Sequence, residues 1–229
     1  MHRCYRNDAM KTLALAIVGI ATLSGCMQFG PRVTDAGKPA TKNVAVGSGK
    51  ELGSFTKVSS KGALDVEIKQ GANSNVVVEG DENIVKIVKL KVVGDTLEVN
   101  TEGNYTTSTR LVVKITMPKI EGIDLSGSGN TTVSGVTADD LDLDISGSGN
   151  IKIDGTAKKL SASVSGSGII EANTLEAQDA EADISGSGSI MVFATKNLEV
   201  DIAGSGEVRY KGSPSLKKDI TGSGEVVKQ

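Results

Sequence analysis

The chain has no tryptophan, and phenylalanine and tyrosine together make 3% of its 229 residues. So few rings cannot fill a wide core. They also leave little for the aromatic platforms that sugar-cleaving grooves use. Beyond the first few residues the rings are Phe29, Phe55, Tyr105, Phe193 and Tyr210. The core is therefore expected to be narrow and built from Val, Ile, Leu and Ala. Histidine and cysteine are scarcer still: His2, Cys4 and Cys26 are the full set, all near the N-terminus. Once the leader described below is removed, neither a Ser–His triad nor a histidine metal site remains. No pair is left for an internal disulfide. Basic residues form no stripe with interleaved aromatics, and the formal net charge is −3. Nucleic-acid binding is excluded on that ground. No apolar run reaches the roughly 20 residues that a transmembrane helix needs.

What the chain has is glycine, 28 residues of it, arranged periodically. Ser126-Gly127-Ser128-Gly129-Asn130 returns as Ser146–Asn150, Ser165–Gly168 and Ser185–Gly188. Ala203-Gly204-Ser205-Gly206 and Thr221-Gly222-Ser223-Gly224 follow. The six starts are 18 to 20 residues apart, a period that marks a stacked-repeat architecture. Before each bend the sequence alternates apolar and polar, as in Leu141-Asp142-Leu143-Asp144-Ile145. That is a strand with one buried face. The alternation resumes after the bend, as in Ile151-Lys152-Ile153, so each repeat is expected to hold two short strands. Glycines 127, 129, 147, 149, 166, 168, 186, 188, 204, 206, 222 and 224 (each Gly in the sequence) are the structural turn residues. Such positions allow φ > 0 and close stacking.

A single coil cannot bury its own apolar face, but stacked parallel coils make a continuous core. The expected fold is therefore all-β: a parallel β-helix, or β-solenoid, of about six C-terminal coils. An antiparallel meander also fits short strands. It gives no reason for one tripeptide to recur six times, whereas equivalent stacked bends do. Residues 119–229 are the repeats, and 44–118 an irregular β-rich cap with the first coils. Within that segment, Leu64–Ile68, Asn75–Glu79 and Leu111–Thr116 read as strands. Gly94-Asp95 is the turn of a hairpin. Ile84–Leu90 fits a strand or a short helix.

The N-terminus reads as an address. Leu13–Leu23 is a short apolar run after Lys11, and it ends in Leu23-Ser24-Gly25-Cys26. This is the form of a secretory signal, and the last four residues resemble the bacterial lipobox. Residues 1–25 are then a signal peptide, with Met10 as the expected true start. Cys26 is the lipid attachment site, and 26–43 is a lipidated tether. Cleavage takes away three basic residues and one acidic one, so −3 becomes −5. An acidic chain has no polybasic help in holding a membrane, so the lipid must anchor it. The expected location is the bacterial cell envelope, at the outer membrane.

Three constellations bear on chemistry. The repeated serines have no base partner, so they are assigned to bend geometry and hydroxyl hydrogen bonding along the stack. A strand, not a helix, follows each Gly-Ser-Gly, which sets aside a phosphate-cradling loop. Asp124, Asp144, Asp183, Asp201 and Asp219 share one position of the repeat. Stacked, they would lie about 5 Å apart, with Asp142, Glu181 and Glu199 beside them. Asp144, Asp183 and Asp201 are the weak candidates for a divalent cation such as Ca²⁺. A solvated acidic face that deters edge association explains the same column, so no metal and no cofactor are expected.

Taken in order, several segments resemble the bacterial "putative auto-transporter adhesin, head GIN domain" family, a domain of unknown function. They are Phe55-Thr56-Lys57-Val58, Val66–Gly71, Gly94–Val99, Ile115–Pro118, the six bends and Tyr210–Pro214. The resemblance runs from about Val44 to Gln229. It implies a β-helix-like fold on secreted or lipid-anchored envelope proteins, and it brings no active site. The expected function is a non-catalytic envelope lipoprotein that acts as an adhesin or surface binding module. The alternatives are a periplasmic structural or envelope-stress scaffold and a polysaccharide-cleaving β-helix enzyme. Partners are the membrane, through the N-terminal lipid, and a glycan or protein ligand that the sequence does not identify. A homo-oligomer stays open.

Overall fold

The computed structural model describes residues 53–103, 105 and 110–229, together with the backbone of 33–34, 39–42 and 106. The signal peptide, Met10 and Cys26 lie outside the described residues. The N-terminal segment contains β1 (Val33–Thr34), β2 (Pro39–Lys42), β3 (Lys57–Gly62), β4 (Asp65–Gln70) and β5 (Asn75–Asp81). One helical turn, α1 (Glu82–Val85), precedes β6 (Val88–Val93), β7 (Thr96–Thr101), β8 (Tyr105–Thr106) and β9 (Val112–Met117). The ambiguous stretch 84–90 thus divides: its start closes the helix and its end opens β6. The repeats supply β10 (Gly122–Gly127), β11 (Asn130–Gly147), β12 (Asn150–Gly166), β13 (Ile169–Gly186) and β14 (Ser189–Gly204). The last coil is made by β15 (Glu207–Gly212), β16 (Ser215–Gly222) and β17 (Glu225–Lys228).

From β10 onward every strand pair is parallel, and equivalent residues of successive repeats lie side by side. The chain is a β-solenoid in which six bends delimit five complete turns. The apolar residue before each bend forms one column: Leu125, Ile145, Val164, Ile184, Ile202, Ile220. All but the last are buried. The column Leu141, Leu160, Ala180, Leu198 runs beside it. Stacking like on like lets each coil hide its apolar face under the next, which no coil achieves alone.

Two strands per repeat proved too simple. Pairing continues from one bend to the next, over 18 residues in β11. The alternation of buried positions slips at 134–135 and again at 139–140, so β11 has three straight runs, as does β13, which slips at 173–174 and 178–179. The register irregularity between Val133 and Val136 marks one of these corners. These corners carry no repeated motif, unlike the bend.

The N-terminal segment extends the stack in an order the repeats do not use. β3 lies under β10 and β4 under β11, with Gly62 directly beneath Gly127. A seventh bend therefore stacks on the six without carrying their motif. β7 lies under β3 and β9 under β4. The coil at 57–70 is thus held between the one at 96–117 and the first repeat. Antiparallel strands close this end: β6 on β7, β5 on β9, and β2 on β5.

Candidate functional site

The bend sets the geometry of the faces. In Ser146-Gly147-Ser148-Gly149 the two glycines meet different demands. Gly147 has φ 132°, and a Cβ there would stand 2.5 Å from the carbonyl oxygen of Gly127 in the coil below. Gly149 is not in that φ region, but its Cβ would meet the Leu125 side chain at 2.6 Å. The same split holds along the stack: the first glycines 127, 166, 186, 204 and 222 all have positive φ, whereas 129, 168, 188, 206 and 224 only lack room. The rung between bends is made by the backbone. The Ser148 amide donates to the Gly127 carbonyl at 2.9 Å, and Ser167, Ser187, Ser205 and Ser223 repeat the bond. Sequence reasoning assigned hydroxyls to this task; the amide of the middle serine performs it.

The run leading into each bend carries the acidic face. Asp124 lies beside Asp144, Asp144 beside Ser163, Ser163 beside Asp183, and Asp183 beside Asp201 and then Asp219. Asp142, Ser161, Glu181 and Glu199 form the neighbouring column. Burial, and then the like charges of Asp124 and Asp142, push the Asp144 carboxyl above the usual range. Burial raises Asp183 too, followed by Glu181, Asp201 and Glu199. Serine relieves the column at 163. At the lower end Asp124 accepts hydrogen bonds from Ser59, at 2.9 Å, and from Ser126, at 3.2 Å. Lys217 pairs with Glu199 near the upper end.

The face is shallowly concave. An open depression of about 380 Å³ is lined by Ser163, Ser165, Asp183, Ser185, Asp201 and Asp219 among others. A second, of about 160 Å³, lies lower, against Lys57, Ser59, Asp124, Asp142 and Asp144. The predicted Asp144, Asp183 and Asp201 share one column, yet Ser163 separates the first from the other two. Among the described residues no three His, Cys, Asp or Glu side chains are grouped to hold a metal ion. Parallel register spaces carboxylates one strand apart along a line, so they do not converge on a point.

The run after the bend holds polar groups that sequence reasoning missed. Asn150 Nδ2 donates to Asn130 Oδ1 at 3.0 Å, and Asn130 Nδ2 donates to Asp65 Oδ1 at 2.9 Å. Arg110 Nε completes the ladder on Asp65 Oδ2 at 2.6 Å. Burial alone would raise Asp65, but the bonds from Arg110 and Asn130 outweigh it and hold the carboxyl below its ordinary value. The signal was the Asn that follows two of the bends. Its partners stand 20 to 65 residues away and could not be read. Phe193 is only partly buried, on the outer side of β14. Tyr210 packs against the core's edge.

Solved structures share this fold. The chain superposes on a "putative adhesin" from Bacteroides fragilis with a TM-score of 0.69 and 24% identity, over 86% of this chain and 100% of that one. A "putative adhesin" from Parabacteroides merdae gives 0.54 and 20%, over 87% and 100%. A "putative lipid binding protein" from Parabacteroides distasonis gives 0.53 and 24%, again over 87% and 100%. At such identities the likeness is one of fold. Comparison with curated proteins gives no match. The "putative auto-transporter adhesin, head GIN domain" family model matches residues 54–214, from the strand under the first bend to the start of the last coil, and the chain belongs to that family.

Proposed function

We propose that the chain is a non-catalytic cell-envelope lipoprotein, held by a lipid on Cys26, that binds a partner through its acidic face. The observation that carries this reading is the face itself: carboxylates and hydroxyls in register across the five turns, lining open depressions. A regular array of like charge favours a complementary, extended and basic surface over a small molecule, because no enclosed pocket there would bury one. A basic protein surface fits it better than an acidic glycan, which it repels. The family's description and those of two solved structures point the same way, toward adhesion.

The test compares wild-type cells, a deletion strain, and a strain carrying Asp183→Lys with Asp201→Lys, on a panel of matrix proteins and glycans. Binding that falls in both mutant strains and weakens with added salt supports the reading. Equal binding by all three strains refutes it. The anchor is tested by metabolic labelling with a fatty-acid analogue. Label should be lost in Cys26→Ser.

A further inference from the structure

The last coil ends in a way the coils beneath it do not. β16 pairs only with β14, and β17 only with β15. Among the described residues nothing pairs with their outer edges, so each offers a row of open backbone donors and acceptors. Such an edge is a template for another strand. The apolar columns run on into this coil, with Leu216 over Leu198, Ile220 over Ile202 and Val226 over Val208. Leu216 is 37% exposed there.

One inner column breaks its own rule. Leu143, Ala162, Ala182 and Val200 are all buried, and the next residue in the column is Lys218. The column Ala172, Val192, Tyr210 ends likewise in Lys228. Lys228 lies near the Ser213 hydroxyl at 3.4 Å, but Lys218 has no ion pair among the described residues. A charge at an inward position of an edge strand obstructs addition of another strand, because pairing would bury it.

The sequence of β16 specifies what is obstructed. Two copies laid antiparallel about a two-fold axis at residue 218 put Leu216 opposite Ile220 and Lys217 opposite Asp219. Both pairings are complementary, and the inner columns of the two copies would become continuous. The one conflict is Lys218 against its own copy, on the inner side. Centring the axis one residue earlier sets Lys217 against itself, and one later sets Asp219 against itself. All three registers bring like charges together.

We propose that Lys218 keeps the C-terminal edge, whose other residues match a second copy of this chain, from pairing with that copy, and that Lys217 and Asp219 obstruct the neighbouring registers. The proposal stands apart from the acidic-face function. It is tested on the 229-residue chain by analytical ultracentrifugation over a range of concentrations, with circular dichroism to check the fold. Wild type is expected to sediment as one chain and Lys218→Val to double its mass as concentration rises. Lys218→Arg, which keeps the charge, should stay single, and Lys218→Gln should associate as Lys218→Val does. Adding Asp219→Lys to Lys218→Val should abolish the dimer, because Lys217 then faces a lysine. Adding Lys217→Asp as well should restore it. A folded Lys218→Val and Lys218→Gln that both remain single chains would overturn the proposal. So would a wild-type dimer, or association that ignores the Lys217 and Asp219 exchange.

Discussion

Alanine separates the two kinds of glycine in each bend. At Gly186 (φ 128°) a Cβ would meet the Gly166 carbonyl at 2.5 Å, so both backbone strain and a backbone clash oppose it. At Gly188 a Cβ would meet a Val164 methyl at 2.5 Å and the Gly168 carbonyl oxygen at 2.8 Å, but its φ lies outside the left-handed region, so crowding acts without backbone strain. Gly135 has φ 70° with open space around it, so strain acts alone. Gly186→Ala should therefore cost the most, more than about 3 kcal/mol; Gly188→Ala about 1–3 kcal/mol; and Gly135→Ala about 1–2 kcal/mol. Urea unfolding of the three variants checks the order. The inner columns hold a separate test. Thr131 is 2% exposed, in the column of Ile151, Ile170 and Ile190, and its hydroxyl has no hydrogen-bond partner. Thr131→Val should stabilise the fold by about 1 kcal/mol, measured the same way. The glycines were legible in the sequence as bend residues because the motif repeats. Which of each pair needs its φ and which needs its space was not, since that depends on the coil beneath.

Along the acidic strands, like charges in register work against the stack. Asp144 and Asp183 both sit above the ordinary carboxylate range, first through burial and then through their acidic neighbours. A raised folded-state pKa means that the native protein holds the proton more tightly than the unfolded chain. These two positions therefore cost stability at neutral pH. The cost fades as pH falls through the folded value toward the unfolded one. Asp144→Asn and Asp183→Asn should each add about 0.2–1 kcal/mol at neutral pH, with the gain vanishing in acid. Asp65 has the opposite sign. Held low by Arg110 and Asn130, it contributes stability above its unfolded pKa, and that is lost as pH falls through the folded value. Thermal melts across pH, with Arg110→Ala as the companion variant, test both signs. The acidic column was legible because alternation fixes which residues share a face and the period fixes which share a column. The corners inside β11 and β13 were not, because no residue type recurs there. The bend's backbone hydrogen bonds were likewise invisible to a reading of side chains.

For the molecule as a whole, the period alone carried the parallel winding. Six equivalent bends 18 to 20 residues apart have a simple physical use when each lies on the last. The order of the N-terminal coils escaped that logic. Lys61-Gly62-Ala63 occupies the seventh bend without the motif, and the coil it serves is inserted between two that come later in the chain. Periodicity has nothing to say about strands that do not repeat. The antiparallel strands at that end follow from a general need, since a stack must finish somewhere without an open apolar face. The hairpin across Gly94-Asp95 was the part of that closure with a local sequence signal.

Ser126, Ser146, Ser165, Ser185, Ala203 and Thr221 form one outward column that climbs the whole repeat region. Spin labels on cysteines placed in pairs along it, in a chain with Cys4→Ser and Cys26→Ser, read the winding by pulsed electron–electron dipolar spectroscopy. Parallel stacking predicts a separation that grows by about 4.8 Å for each coil between the labels, reaching about 24 Å from 126 to 221. Separations that fail to increase steadily with the number of intervening repeats would contradict the solenoid.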